Sequence, residues 1–260
     1  MTPKDDFMPA TLTPAPPAAR AATEAQAIEL SVVMPVYNEE DALPDVLGEA
    51  VASLGAAGFR CEILVVDDAS KDRSLQILQR FERDNPDLVR VLKHEVNRGI
   101  VGACQTLYDN ARGDYVFIIG SDGQWKTAEA LRMMALRDQF DLIVGRRHHK
   151  QYDWRRKIVS SAFNLLPRLL FGVPTHDAGS IKLFRRDVLK IPTISEGPFR
   201  EAERIIRASD AGLRIGVIDV DHFNRQGGVA SGAKFQLIKQ SVRDLARCWW
   251  TMRIRRRRVG

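Results

Sequence analysis

An α/β fold built on a mostly parallel, mixed sheet flanked by helices is predicted by three observations. Residues 31–36 and 62–66 are apolar runs rich in Val and Ile, the composition of strands buried on both faces. Each run breaks into a short polar cluster, Tyr37-Asn38-Glu39-Glu40 after the first and Asp67-Asp68-Ala69-Ser70 after the second. From there to about residue 120, helical and strand-like segments alternate in the βαβ pattern of a parallel sheet. Open sheets of this kind bind ligands beyond the carboxyl ends of their strands, which is where both clusters fall.

The first strand is read at 29–36 and the following helix at about 40–55, stopped by Gly55 and Gly58. A strand at 61–67 precedes a helix at about 73–84, which Ser70 and Asp72 are suited to cap and which ends before Pro86. A strand at 88–93 leads through Asn97-Arg98-Gly99 into a helix to about 111. The strand at 114–120 then runs into Ser121-Asp122-Gly123-Gln124-Trp125. Beyond it come a strand at 140–145 ending in Gly145-Arg146-Arg147, an amphipathic helix at 154–171 and a strand-like segment at 179–184. A helix at about 198–212, a strand at 213–221 and a loop from His222 to Lys234 follow. The last helix places Phe235, Ile238, Val242, Leu245, Trp249 and Met252 on one face by three- and four-residue steps, with Lys239, Arg243 and Arg247 elsewhere.

A chain of 260 residues is long enough for one large α/β domain with appendages. The expected division is a Pro- and Ala-rich disordered tail at 1–27, the main domain at 28–233, and a basic amphipathic helix and tail at 234–260. Cys61, Cys104 and Cys248 are odd in number, far apart and without metal-ligand spacing, so they read as reduced thiols of a cytosolic protein. Residues 1–20 lack the apolar core of a signal peptide, and no stretch reaches the ~18 apolar residues of a membrane span. The expectation is a soluble or membrane-surface protein. Residues 234–260 carry nine basic side chains against Asp244 alone, leaving the rest of the chain slightly acidic. A basic amphipathic helix with Trp at its apolar edge suits an anionic membrane surface, each basic residue adding about 1 kcal/mol. The same face also suits a seam between two copies of the chain, a homo-oligomer. Nucleic acid is not expected, because the Arg run lacks interleaved aromatic residues. No GxGxxG follows the first strand, which argues against a dinucleotide oxidoreductase.

The order Pro-Val-Tyr-Asn-Glu-Glu, Val-Val-Asp-Asp-Ala-Ser, Asn-Arg-Gly, Ser-Asp-Gly-Gln, Gly-Arg-Arg, Asp-Ala-Gly-Ser and His-Phe-Asn-Arg resembles the family-two glycosyltransferases of GT-A (Rossmann-like) fold over roughly residues 29–235. Within them it is most similar to the polyprenyl-phosphate sugar transferases, the dolichol-phosphate mannose synthase-like branch. The resemblance implies an inverting transferase at the cytoplasmic membrane face, peripheral to the inner face of the cell membrane. Its donor would be a UDP- or GDP-sugar and its acceptor a polyprenyl (undecaprenyl-type) phosphate.

The resemblance also assigns residues. It places the nucleotide at Pro35, Tyr37, Glu39, Asp67, Asp68, Asp122 and Arg225, the last on a loop that Gly227 and Gly228 allow to hinge. Asp67 and Asp68 also suit capping of the next helix. Asp122 stands as the second acid of a metal-binding pair, holding Mg²⁺ or Mn²⁺, and Gln124 follows it; Gly120 replaces the first acid, which weakens the metal expectation. Arg147, Arg156 and Ser160 correspond to the holders of the acceptor phosphate, with Asp122, Gln124 and Arg147 as the catalytic set. Arg offers phosphate a planar fork of donors, so the chemistry is apt. Arg146, Arg155 and Lys157 read as solvated charges. Asp177 and Glu203 match acidic positions on the acceptor side, or are buried acids paired with Arg. Lys234 follows a departure from the family's Gly-x-Ser-Lys and is a doubtful phosphate ligand. An acceptor that is a glycan or a soluble molecule, and a degenerate nucleotide-sugar-binding domain without turnover, are the alternative readings.

Overall fold

The apolar runs become the centre of a seven-stranded sheet. The computed structural model describes residues 27–147, 165–173, 175, 177–225 and 235–255. In chain order these form β1 (Leu30–Val36), α1 (Leu43–Gly55), β2 (Cys61–Asp67), α2 (Ser74–Asp84), β3 (Val89–Lys93), α3 (Gly99–Asn110), β4 (Tyr115–Ile118) and α4 (Ala128–Met134). Then come β5 (Leu142–Arg147), a helical stretch at 165–171, β6 (Lys182–Arg185), α5 (Arg200–Asp210), β7 (Ile215–Val220) and α6 (Phe235–Trp249). The strand order is β3-β2-β1-β4-β6-β5-β7.

β1 lies between β2 and β4, parallel to both, with Val33 opposite Leu64 on one side and Ile118 on the other. Successive side chains therefore enter different cores. Val32, Met34, Ile63 and Val65 pack under α1 with Leu43, Val46 and Leu47. Val33, Leu64 and Val66 pack on the opposite face with Ala103 and Leu107 of α3 and Ile205 and Ile206 of α5. Helices on both faces are what make β1 and β2 continuously apolar.

The segment expected at 179–184 is β6, antiparallel to β4 and β5, and this strand makes the sheet mixed. The strand expected to run to residue 120 stops at Ile118, because its last residues turn toward Asp122. Helix α4 carried no readable period: it spans seven residues, and its entry is served from α1, where Glu49 accepts hydrogen bonds from the Thr127 and Ala128 N–H groups at 2.9 and 3.4 Å.

The apolar stripe expected along the last helix is split. Leu245 and Met252 are buried against the body with Cys248, while Val242 is 57 % exposed. Asp244 anchors the helix by accepting a hydrogen bond from the Gly197 N–H at 2.8 Å. Spacing alone could not assign this face, since two of the residues that complete it, Ser241 and Asp244, are polar.

Candidate active site

The ends of β1 and β2 are built as one unit. Asn38 and Ala69 both adopt left-handed backbone, with φ of 54° and 61°. For residues with a Cβ such conformations cost of order 1–3 kcal/mol and persist only where surroundings impose them. Here the surroundings are reciprocal hydrogen bonds between the two loops. Ser70 Oγ accepts from the Asn38 N–H at 3.0 Å, Ser74 Oγ from the Glu39 N–H at 2.9 Å, and Asp72 Oδ2 from the Glu40 N–H at 3.2 Å. In return Asn38 Oδ1 accepts from the Lys71 N–H at 2.7 Å and Glu40 from the Arg73 N–H at 3.0 Å. Ser70 thus serves the neighbouring loop rather than capping its own helix, and Asp72 does both, its Oδ1 accepting from the Ser74 N–H at 2.9 Å. Burial pulls the Asp72 carboxyl upward, but its hydrogen bonds from Ser74 and Glu40 hold it below the ordinary value.

Asp67 and Asp68 divide between two tasks. Asp68 is buried and its Oδ1 meets His94 Nδ1 at 2.7 Å and the Arg98 N–H at 2.8 Å, which fixes the loop leading into α3. His94 Nε2 continues the chain to Thr106 Oγ1 at 2.9 Å. Asp67 accepts from the Ser70 N–H at 3.2 Å through Oδ2, whereas its buried Oδ1 has no hydrogen-bond partner. Tyr37 is exposed at the rim, and Pro35 accepts from Ser121 Oγ at 3.0 Å through its carbonyl.

Arg225 and Asp122 converge on Glu39 of the first loop. Arg225 forms an ion pair with Glu39 and lies 3.8 Å from Asp122 Oδ2. Its loop is docked by the Phe223 N–H donating to the Gln124 carbonyl at 3.0 Å and by an edge-on contact of His222 with Trp125 at 4.7 Å. Burial pushes the Glu39 carboxyl above its ordinary value, against the pull of Arg225. Asp122 sits in a turn whose Gly123 has φ of 74°, and its Oδ1 accepts from the Gln124 N–H at 3.2 Å. A Cβ built on Gly120 would meet Asp122 Oδ1 at 3.4 Å, so a side chain at 120 would sit against the Asp122 carboxylate. No group of three or more His, Cys, Asp or Glu side chains suited to a metal occurs among the described residues. A lone carboxylate such as Asp122 still fits Mg²⁺, which is held by one or two carboxylates together with substrate phosphates.

Beside Asp122 opens a pocket of about 330 Å³, within the size range of small-molecule sites. Its mouth is lined by Gly120, Asp122, Gln124, Trp125 and Arg147. Arg147 makes a bidentate pair with Asp177, both contacts 2.6 Å, and lies 5.8 Å from the Trp125 ring centre. The depth of the pocket holds Tyr108, Lys182, Glu201 and Arg204, which sequence reasoning did not single out. Burial lowers the Lys182 pKa and raises that of Tyr108. A lysine directly before the apolar pair Leu183-Phe184, at the start of a short strand, was the available signal.

The two acids weighed on the acceptor side are both paired with arginine: Asp177 with Arg147, and the fully buried Glu203 with Arg207 at 2.5 Å. Glu203 also accepts from the Ile194 and Ser195 N–H groups. Arg146 pairs with Asp219 on the surface. Arg155, Arg156, Lys157, Ser160, Gly227, Gly228 and Lys234 lie outside the described residues, as does the N-terminal tail through residue 26.

Residues 31–191 match the family model described as glycosyl transferase family 2. The chain is 31% identical over 213 residues to a dodecaprenyl-phosphate galacturonate synthase of Rhizobium johnstonii, covering 79% of this chain and 62% of that one. It is also 31% identical over 229 residues to an undecaprenyl-phosphate 4-deoxy-4-formamido-L-arabinose transferase of Edwardsiella ictaluri, covering 87% and 69%. The chain therefore spans about two thirds of the length of these two relatives. Among solved structures, glucosyl-3-phosphoglycerate synthase from Mycobacterium tuberculosis, in complex with Mn²⁺, UDP and glucosyl-3-phosphoglycerate, superposes with a TM-score of 0.67 at 18% identity, over 94% of this chain and 86% of that one. At that identity the likeness speaks to the fold, which is that of the GT-A glycosyltransferases.

Proposed function

The chain belongs to glycosyl transferase family 2, and from that premise we propose that it moves a sugar, with inversion, from a nucleotide-diphosphate donor to a polyprenyl phosphate. The observation that carries the proposal is the Asp122 carboxylate, which faces the Arg225–Glu39 pair and also lines the pocket walled by Arg147.

In this reading Glu39 and Asp67, each with a buried carboxylate oxygen lacking a partner, accept hydrogen bonds from the nucleoside, and Tyr37 covers it from the rim. Asp68 acts one step back by holding the loop before α3. Arg225 sets positive charge beside the donor diphosphate as negative charge builds on the leaving group. A divalent ion, when bound, would be held by Asp122 and would neutralise the same diphosphate.

The acceptor phosphate oxygen attacks the anomeric carbon from the face opposite the diphosphate; the new C–O bond forms as the bond to the diphosphate breaks, and the configuration inverts. A phosphate monoester has a second pKa near ~6, so it arrives largely as a dianion and needs positioning more than a general base. Arg147, already aligned by Asp177, supplies that positioning, with Arg156 and Ser160 completing the site.

A membrane-surface location follows from the lipid acceptor. No helix among the described residues is long and apolar enough to cross a membrane. Its support is an exposed edge of α6 carrying Lys239, Val242 and Arg243, together with Leu165, Leu166, Leu169 and Leu170 exposed on the helical stretch 165–171.

The test incubates purified protein with Mg²⁺ or Mn²⁺, a panel of UDP- and GDP-sugars, and undecaprenyl phosphate in detergent. Nucleotide release that depends on the lipid is the expected result. Binding of nucleotide without release from any donor would overturn transfer in favour of a binding domain. Release onto soluble acceptors alone would replace the lipid acceptor.

A further inference from the structure

The depth of the pocket holds charge that the transfer step does not use. Lys182 and Arg204 are buried there, their side chains 3 % and 2 % exposed. Lys182 Nζ donates to the carbonyls of Ala178 and Ser180, both at 2.8 Å. An ammonium has three donors, and its remaining neighbour, Glu201 Oε2, stands 3.7 Å away, beyond hydrogen-bond reach. Arg204 donates through Nη1 to the Leu189 carbonyl at 3.1 Å and lies 5.2 Å from the centre of the Tyr108 ring, yet its buried Nε–H has no hydrogen-bond partner. Ser180 Oγ and Glu201 Oε2 are buried without one as well. Buried polar groups are almost always paired, so four open positions at one end of a pocket mark the outline of a ligand.

The kinds of open position describe the ligand. Two buried cations face the single carboxylate of Glu201, since Arg147 at the mouth is matched by Asp177. An excess of buried positive charge is costly until an anion joins it. Three of the open groups can donate, and Glu201 Oε2 can only accept. A ring carbon that bears a carboxylate, with a hydroxyl on the next ring carbon, satisfies both requirements. With the donor diphosphate held beside Asp122, as proposed above, the group covalently joined to it would face this same pocket, which Asp122 lines, and that group is the sugar.

We propose that Lys182, Arg204 and Ser180 bind a carboxylate on the donor's hexose while Glu201 accepts from an adjacent hydroxyl, so that the pocket selects a nucleotide-activated uronic acid. This rests on the reading of the cleft as a donor site but not on the identity of the acceptor.

The experiment compares matched donors that differ only in whether C6 is a carboxylate or a hydroxymethyl group. UDP-galacturonate, UDP-glucuronate and GDP-mannuronate are titrated by calorimetry beside UDP-galactose, UDP-glucose and GDP-mannose, with Mg²⁺ and without lipid. Charge-assisted hydrogen bonds to a buried carboxylate predict that at least one uronate binds about tenfold or more tightly than its neutral partner. Lys182→Met should collapse that ratio. The wild-type comparison stands by itself if Lys182→Met fails to fold, as circular dichroism would reveal. Equal affinities within all three pairs, or a ratio that survives in a folded Lys182→Met protein, would overturn the proposal, as would binding of none of the six.

Adding undecaprenyl phosphate then separates the two readings. Lipid-dependent release from neutral donors only would sink uronate selection and leave the transferase standing. A uronate preference in binding with no lipid-dependent release from any donor would do the reverse.

Discussion

The loops that end β1 and β2 and the depth of the neighbouring pocket are both polar, yet they are finished differently. Between the loops, the N–H groups of Asn38, Glu39 and Glu40 are met by Ser70, Ser74 and Asp72, and two left-handed residues are held in place by the exchange. In the pocket, Ser180 Oγ, Glu201 Oε2 and Arg204 Nε are left without partners. A hydrogen-bonded loop pair is organised before any ligand comes, whereas the pocket depends on its ligand to complete it. The exceptions within the loops, Asp67 Oδ1 and Glu39 Oε2, are the positions from which a nucleoside would be gripped. Asp122 stands between the two regions, since it faces Arg225, the partner of Glu39, and also lines the pocket.

The strongest way to break this link is at Asp122 itself. Asp122→Asn keeps the shape of the side chain and its place beside Gln124, but removes the charge that faces Arg225 and would hold a metal. Lipid-dependent nucleotide release should fall by about 10²-fold or more, the scale on which a single preorganised electrostatic contact acts. The melting temperature should stay near wild type, because Asp122 lies in a turn outside both cores. Full activity in Asp122→Asn would remove Asp122 from the catalytic set. The companion change Gly120→Asp places a second carboxylate on a Cβ that would stand 3.4 Å from Asp122 Oδ1, and should lower the Mg²⁺ or Mn²⁺ concentration needed for half-maximal activity.

The same contrast explains what the sequence disclosed. The loops were legible because their chemistry is local: an apolar run ending in Tyr37 to Glu40, and a second ending in Asp67 and Asp68, place polar groups at adjacent strand ends once the strands are parallel. Helix α4 was not, since its entry is secured by Glu49, a residue 78 positions away from Thr127. The pocket was hidden for the same reason. Lys182 comes from β6, Tyr108 from α3, and Glu201 and Arg204 from α5; only the insertion of β6 between β4 and β5 brings them together. Arg147 could be named from its motif and Asp177 weighed as an acid paired with an arginine, but that the two are each other's partners, thirty residues apart, could not be read.

A smaller effect tests whether the loops are rigid before the nucleotide arrives. Asp72→Ala leaves the Glu40 and Ser74 N–H groups without their acceptor. A lost carboxylate–amide bond of this kind costs about 1 kcal/mol, readable as a lower urea midpoint at unchanged slope. If the loop pair is the preformed half of the site, donor affinity should weaken as well, although Asp72 touches no expected ligand position. A loss of stability with donor affinity intact would mean that the bonds brace the fold without shaping the site.

The finest test uses the one loop residue whose charge is at odds with its surroundings. Burial raises the Glu39 pKa above 4.5 in the folded chain despite Arg225, so between 4.5 and the folded value the folded protein holds a proton that the unfolded chain has released. Stability from this group is therefore greatest below pH 4.5 and is lost as pH rises through the folded pKa. Glu39→Gln cannot titrate, and melting curves of the two proteins from pH 4 to 7 should show wild type losing ground to the variant as pH increases. Nucleotide diphosphate should narrow the drift, because ribose hydroxyls donating to Oε2 would stabilise the ionised carboxylate that burial disfavours. A drift that UDP and GDP leave untouched would assign the open oxygen of Glu39 to the resting fold alone, and would leave Asp67 Oδ1 as the open position of the loops that answers to a nucleoside.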